Sequence, residues 1–252
     1  MNFKAVGVTD VGKVREANED AFLLDEENRL FMVADGMGGH QGGGYASKKS
    51  LEIVQDELKR LEQSQEMTQP IKAGAGFSLS QLRLARAIQQ ANLALFETSI
   101  KEPSLRGMGT TLTALQFDEN YANLAHIGDS RAYLIRQGKI QQLTEDHSWV
   151  QEQVKTGVLT LEEAKNHPLK NIITRSLGHE REIKIDLLKV EYQAKDRFLL
   201  CSDGLSNMVS DQEILEVVER FEMEKIPGHL IDRANQEGGY DNITIVVAEV
   251  IV

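Results

Sequence analysis

Strand-like and helix-like stretches follow one another in blocks along this chain, not in strict alternation, and that order limits the folds open to it. Residues 2–8, 20–24 and 29–34 read as strands, the last two joined by the turn-rich Asp25-Glu26-Glu27-Asn28. Two helices follow, over 45–62 and 79–99. Leu51, Val54, Leu58 and Leu61 recur at helical spacing in the first, while Leu82, Ala85, Ile88, Leu95 and Ser99 fall near one face of the second. The polar segment 63–77 between them reads as a loop. A meander comes next, over 110–117, 121–127, 131–136 and 139–143, with Gln137-Gly138 as a hairpin turn. Strands return at 183–191 and 197–201. Helices then start after Ser210, where Glu213 completes a capping box, and after Pro227, before a last strand at 243–250. Blocks of this kind favour α+β over a doubly wound parallel sheet. No repeat or linker divides residues 1–252, so a single domain is expected, interrupted by a lid-like segment at about 145–180. That segment carries a helical piece around Trp149 to Lys155, a capping box of Thr160 with Glu163, and a stop at His167-Pro168.

The strand ends share a second feature. An apolar run meets an aspartate beside a tight turn at VADG (Asp35), AHIGDSR (Asp129), LLCSDGL (Asp203) and GGYDNITIVV (Asp241). A further acidic cluster, Asn18-Glu19-Asp20, opens the strand that starts near Ala21. Asp-Gly and Asp-Asn are common turn dipeptides, and one of them alone is more often a turn than a ligand. Scattered turns and a shared carboxylate rim both account for the set. On a shared rim, the carboxylates would repel one another and bind protons more tightly, and divalent cations would relieve the repulsion.

Oxygen ligands without a cysteine cluster or an HExxH helix favour Mg²⁺ or Mn²⁺ over zinc, and no EF-hand loop occurs. Two such ions close together can activate a bridging water and stabilise in-line displacement at phosphorus. Arg15, in GKVREANED, offers a planar fork that suits two phosphate oxygens, although most arginines are simply solvated.

Composition removes other classes. The net charge of −11 argues against a nucleic-acid binder. The single cysteine, Cys201, excludes an internal disulfide framework and a thiolate zinc cluster. It is followed by SDGLSN with no closing arginine, so it does not head a cysteine-phosphatase loop. The glycines from Gly36 to Gly44 are followed by no lysine until Lys48, which excludes a P-loop. The opening residues lack the apolar core of a signal peptide, and the apolar run near 243–252 is too short to span a bilayer, so a cytoplasmic protein is expected.

TDVGKVREANEDAF, VADGMGGH, MGTTLTAL, AHIGDSRAYLIR, LTEDHS, LLCSDGL and GGYDNITIVV stand in the order in which metal-dependent protein phosphatases carry them. From about Thr9 to the C-terminus the chain resembles these type 2C serine/threonine phosphatases, in particular their compact bacterial branch. The resemblance implies two antiparallel β-sheets packed as a central sandwich with helices on both sides (α-β-β-α). It implies hydrolysis of phosphoserine and phosphothreonine by in-line attack of a metal-bridging hydroxide, without a phosphoenzyme. Two Mn²⁺ or Mg²⁺ ions and a third, weaker one are implied.

By position, Asp35 would bridge two ions, the Gly36 carbonyl would join one of them, and Asp203 and Asp241 would complete the other. Asp20 would be a ligand, directly or through water. Asp129 with Asp203 would hold the third ion, and Arg15 the substrate phosphate. The segment at 145–180 would be the variable flap. Met37 stands where eukaryotic relatives carry a histidine proposed as general acid, so His40 or water on the third ion would serve as proton donor. The implied partners are phosphorylated proteins and a bacterial serine/threonine kinase that the enzyme opposes. The rival readings are a non-catalytic phosphoprotein-binding module on the same fold and a metal-binding scaffold without phosphate chemistry. Trp149, Met32, Met37 and Met208 read as packing residues. His126 reads as a strand residue or a neighbour of the site, and His147 as a residue able to orient loops.

Overall fold

The computed structural model describes residues 2–38, 42–63 and 76–251. Successive side chains of a strand point to opposite faces of its sheet, and here both faces of most strands are apolar, so each sheet must be covered twice. The chain begins with β1 (Asn2–Asp10), β2 (Ala21–Asp25), β3 (Leu30–Ala34) and the two-residue β4 (Gly36–Met37), then α1 (Gly42–Gln63) and α2 (Leu79–Lys101). The meander follows as β5 (Gly109–Thr110), β6 (Leu112–Phe117), β7 (Tyr121–Ile127), β8 (Arg131–Arg136) and β9 (Lys139–Gln142). The flap segment contains α3 (Trp149–Lys155) and α4 (Leu161–Lys165). Last come β10 (Asp186–Glu191), β11 (Arg197–Cys201), α5 (Asp203–Ser206), α6 (Asp211–Arg220), α7 (Ile226–Gln236) and β12 (Ile243–Ile251).

The strands form two five-stranded antiparallel sheets, ordered β10-β7-β6-β3-β2 and β1-β12-β11-β8-β9, with β4 and β5 as a separate short pair. Three apolar layers separate the elements. Leu30, Met32, Ala114 and Ala125 of the first sheet pack under Val54, Leu58, Leu84, Ile88 and Leu95 of α1 and α2. Tyr133, Leu199, Ile245 and Val247 of the second sheet pack under Ile214, Val218, Leu230 and Ile231 of α6 and α7. The intervening residues, among them Phe31, Val33, Leu115, Phe198, Leu200 and Val246, meet between the sheets. The result is the expected α-β-β-α sandwich. Five aromatic rings of this middle layer touch one another: Phe3, Phe31, Phe117, Tyr192 and Phe198, with Phe117 and Phe198 edge to face at 5.2 Å.

Several elements depart from the sequence reading. The buried face of α2 runs through Gln81, Leu84, Ala87, Ile88, Ala91, Leu95 and Ser99, and Leu82 and Ala85 lie beside it, only half-buried. Three polar residues sit on that face with partners. Gln81 closes the capping box at Ser78, Asn92 donates to the carbonyl of Glu180 and accepts from the Gly178 amide, and Ser99 donates to the Phe96 carbonyl. Ile88, Leu95 and Ser99 thus lie on the buried face as expected, while the buried polar residues shift it away from Leu82 and Ala85. The strand expected over 110–117 breaks at Thr111, which turns its backbone and side chain to Asp35. The first helix starts at Gly42, because its opening glycines lie against β4 and Glu19. The Gln137-Gly138 hairpin has φ of 51° and 71°, the left-handed pair that a tight two-residue turn requires. The first and last expected strands and the capping boxes at Thr160 and Ser210 are present.

Candidate active site

In an antiparallel sheet the end of one strand lies beside the start of its neighbour. Ala34 at the end of β3 pairs with Ala21 at the start of β2, and Ile127 at the end of β7 pairs with Leu112. In the other sheet Cys201 at the end of β11 pairs with Arg131 and Ile245, and Ile243 pairs with Asp10. Asp20 and Asp35 therefore leave the first sheet at the edge where Asp203 and Asp241 leave the second. Asp129 sits on the β7–β8 connection that passes from one sheet to the other. The contacting aromatic rings lie at the opposite end of the sandwich, since Phe117 and Phe198 are remote from Leu112 and Cys201 along their strands.

Backbone hydrogen bonds fix these ends. The Asp35 amide donates to the Thr111 hydroxyl at 2.9 Å. Its carbonyl accepts from the Thr110 hydroxyl and the Thr111 amide, each at 2.9 Å. Ser202 donates from its hydroxyl to Asp20 Oδ2 at 2.7 Å and accepts from the Thr244 amide, tying the two sheets together beneath the carboxylates. Asn242 donates to the carbonyls of Val11 and Ala17 and accepts from the Glu19 amide, so β12 carries the loop that bears Arg15.

Space is tight at Gly36, where an added Cβ would lie 2.2 Å from the Gly43 carbonyl oxygen and 2.5 Å from that of Glu19. At Gly204 it would lie 2.0 Å from the Asn242 carbonyl oxygen. No side chain fits either position, which explains why glycine follows both aspartates.

The carboxylates sense one another. Burial, followed by the charges of Asp20, Asp203, Asp129 and Asp241, pushes Asp35 well above the ordinary carboxylate range. Burial does the same to Asp129, with Asp203 and Asp146 adding to it. Asp20, 3 % exposed, is raised by burial to about 7 even though Ser202 and Thr244 oppose the shift. Asp203 is raised to about 6 by burial and then Asp241, against the nearby positive charge of Arg15.

One oxygen each of Asp20, Asp129, Asp203 and Glu19 is buried with no hydrogen-bond partner. Water-excluded, unpaired carboxylate oxygens are costly, and hard divalent cations satisfy them. The donor set thus fits Mg²⁺ or Mn²⁺. Among the described residues the histidines, cysteine and carboxylates form no group of three or more already spaced to hold a metal ion. Arg15 stands at this edge, with Nη2 donating to Asp241 Oδ2 at 2.7 Å.

A cleft of about 240 Å³ opens beside Asp203 and Asp241, lined also by Asn207, Met208, Tyr240 and, from the flap, Lys170 and Asn171. A similar hollow of about 260 Å³ near Arg197 and Glu249 contains none of the five aspartates. Arg15, Asp20, Asp35, Gly36, Asp129, Asp203 and Asp241 are thus all placed at one edge, whereas His40 lies outside the described residues. Sequence reading missed Glu19, Thr110, Thr111, Ser202 and Asn242. Their signal was adjacency: each lies within three residues of an aspartate in the assembled site or within a quoted motif. Trp149 stacks near His167 with ring centroids 5.1 Å apart, consistent with packing inside the flap. Cys201 is a buried strand residue.

The protein phosphatase 2C family model matches residues 13–237, and the chain belongs to that family. Several relatives are named serine/threonine phosphatases. One, the serine/threonine phosphatase stp of Listeria monocytogenes serotype 4b (strain F2365), is 38% identical over 96% of this chain and 93% of its own length. The crystal structure of the Mycobacterium tuberculosis serine/threonine phosphatase PstP/Ppp superposes with a TM-score of 0.85 at 40% identity, covering 100% of both chains. A structure of the PstP catalytic domain in complex with two manganese ions gives a TM-score of 0.83 at 39% identity, covering 99% of each chain.

Proposed function

We propose that this chain is a manganese- or magnesium-dependent phosphatase acting on phosphoserine and phosphothreonine in proteins. The observation that carries the reading is the set of buried, unpaired carboxylate oxygens gathered from both sheets beside a fork-shaped cation, Arg15. Asp35, Asp203 and Asp241, with the Gly36 carbonyl, would hold two ions, Asp20 would contribute directly or through water, and Asp129 with Asp203 would hold a third. When bound, the ions supply an activated water and offset negative charge on the phosphoryl oxygens.

The chain's own residues do the rest. Arg15, which donates to Asp241, would offer two parallel donors to the phosphate and orient it for in-line attack, and Asp241 would be among the residues that hold an ion. Ser202 and Thr111 hold Asp20 and Asp35 against mutual repulsion. The seryl or threonyl oxygen leaves as an alcohol and needs a proton. Met37 stands where the family's histidine falls, so the candidates for that proton are His40, the nearest histidine and equally a turn residue or a neighbour of the site, and water on a third ion. The flap residues Lys170 and Asn171, which line the cleft, would contact the substrate around its phosphorylated residue. We also assign the chain to the cytoplasm, in opposition to a serine/threonine kinase. Support comes from the bacterial relatives and from the lack, among the described residues, of any helix long and apolar enough to cross a membrane.

Phosphate release from a phosphothreonine peptide tests the reading, measured with Mn²⁺, with EDTA, and with Mn²⁺ and Asp203→Ala. Turnover is expected only with Mn²⁺ and intact Asp203. A folded, Mn²⁺-loaded wild type that releases no phosphate would refute the catalytic reading and leave a phosphoprotein-binding module.

A further inference from the structure

His147 takes no part in the carboxylate edge, yet it is 3 % exposed and uses both ring nitrogens. Nδ1 accepts the amide hydrogen of Gly128 at 3.0 Å, and the His147 amide donates to the Gly128 carbonyl at 2.7 Å. Gly128, with φ of 107°, is the residue immediately before Asp129. A ring nitrogen that accepts carries no proton, so the proton of this neutral imidazole is on Nε2. Nε2 lies 3.1 Å from Asp186 Oδ2, and Asp186 Oδ1 accepts from Arg175 of the flap at 2.9 Å. The His147 carbonyl accepts from the Thr174 amide, and the neighbouring Ser148 bridges to Ile173. Burial holds the His147 pKa below its usual value, which keeps the ring neutral.

The segment around His147 grips the Asp129 turn on both sides. The Glu145 carbonyl meets His126 Nε2 at 3.1 Å at the end of β7. Asp146 receives a fork of hydrogen bonds from Arg131 at the start of β8. Glu145 also ties that grip to α3, its carboxylate accepting from Gln151 and pairing with Lys155, while His147 ties it to Asp186 and through Asp186 to Arg175.

We propose that His147 is a positioning residue that couples the flap to the Asp129 carboxylate, its Nδ1 setting the Gly128–Asp129 turn and its Nε2 reading the flap through Asp186. The inference rests on the reading that Asp129 holds an ion. It gives one side chain two separable holds, one on the turn before the ion site and one on the flap, and the ion site depends on the first through the backbone of this turn.

Two substitutions separate the two arms. In His147→Asn the Oδ1 atom stands near the Nδ1 position and keeps the acceptor for Gly128. In His147→Gln the side-chain amide reaches toward Asp186 and the acceptor is lost. Hydrogen–deuterium exchange on the metal-free full chain, and calorimetric Mn²⁺ titration, are measured for both, for Asp129→Ala, and for Asp129→Ala combined with His147→Gln. In His147→Gln the Gly128 amide should exchange about tenfold faster and the Mn²⁺ concentration for half-response should rise about tenfold, the effect of orphaning a buried amide. Addition of His147→Gln to Asp129→Ala should cause no further Mn²⁺ shift. His147→Asn should keep Gly128 protected and hold the Mn²⁺ midpoint within about twofold, while exchange across 172–177 quickens.

Equal Mn²⁺ shifts in the wild-type and Asp129→Ala backgrounds, or indistinguishable Asn and Gln variants, would overturn the coupling. An Asp129→Ala protein with wild-type Mn²⁺ binding would overturn the ion role of Asp129 and with it the endpoint proposed here, while Gly128 protection still reports on the His147 contact. Should the Gln variant not fold, Asp186→Ala, at a half-exposed position, cuts the flap arm alone. It should quicken exchange across 172–177 and leave Gly128 protected, and loss of Gly128 protection there would overturn the division of labour.

Discussion

Asp203→Asn should make the metal-free protein more stable while removing its response to manganese. The substitution keeps shape and retains an oxygen to accept the Asn207 side-chain amide, which lies 3.0 Å from Asp203 Oδ2. What it removes is the ionisable group of one among five neighbouring aspartates. A carboxylate held near 6 in place of its ordinary 3.8 costs the folded state about 3 kcal/mol at neutral pH. For a chain of this length that corresponds to about 6–12 °C in melting temperature. The assay is thermal unfolding at pH 7.5 with EDTA and again with Mn²⁺. In EDTA the variant should melt above wild type. With Mn²⁺ at about a hundred times its dissociation constant, wild type should gain about 2.7 kcal/mol, and the variant much less. An Asp203→Asn protein that melts below wild type in EDTA would refute the claim that this edge is a site of mutual repulsion.

The same charges set a pH dependence. Asp20 near 7 and Asp203 near 6 bind protons more tightly folded than unfolded. Metal-free stability should therefore fall as pH rises from about 4 to about 7, the reverse of a salt-bridged acid, and urea unfolding in EDTA across that range checks it. Arg15→Ala should raise the KM for a phosphothreonine peptide about tenfold or more, as loss of a charge-assisted pair predicts, while calorimetry finds Mn²⁺ still bound. Gly36→Ala forces a methyl into the carbonyls of Gly43 and Glu19 and should destabilise the fold by about 1–3 kcal/mol or more by urea unfolding, with Mn²⁺ binding lost.

Much of this molecule is legible in its sequence because most strands are buried on both faces. Runs such as Leu30–Ala34 and Arg197–Cys201 have few polar interruptions, and an aspartate just beyond a run marks where the strand leaves the sheet. Pairing is not legible in this way. Nothing local to Ala21 or Ala34 announces that they lie opposite each other, so convergence of the carboxylates on one edge rested on the family resemblance. Short elements also escape, since β4, β5 and α5 are too brief to show a period. Thr111 reads as one more β-branched strand residue, yet it leaves the ladder to clamp Asp35. The face of α2 is legible at Ile88, Leu95 and Ser99 but displaced at Leu82 and Ala85, because Gln81 and Asn92 are buried polar residues whose partners lie far along the chain or in a cap.

The middle layer of the sandwich lies between the two sheets that carry the carboxylates, with Phe22, Val33, Ala132, Leu200 and Val246 toward them and Phe117 and Phe198 at the far end. Asp35 and Asp203 leave different sheets, so what stands between the sheets helps to set how far apart the two aspartates lie. A larger side chain at Ala132 is expected to strain this packing and to part them, although Ala132 belongs to the interior and not to the carboxylate edge.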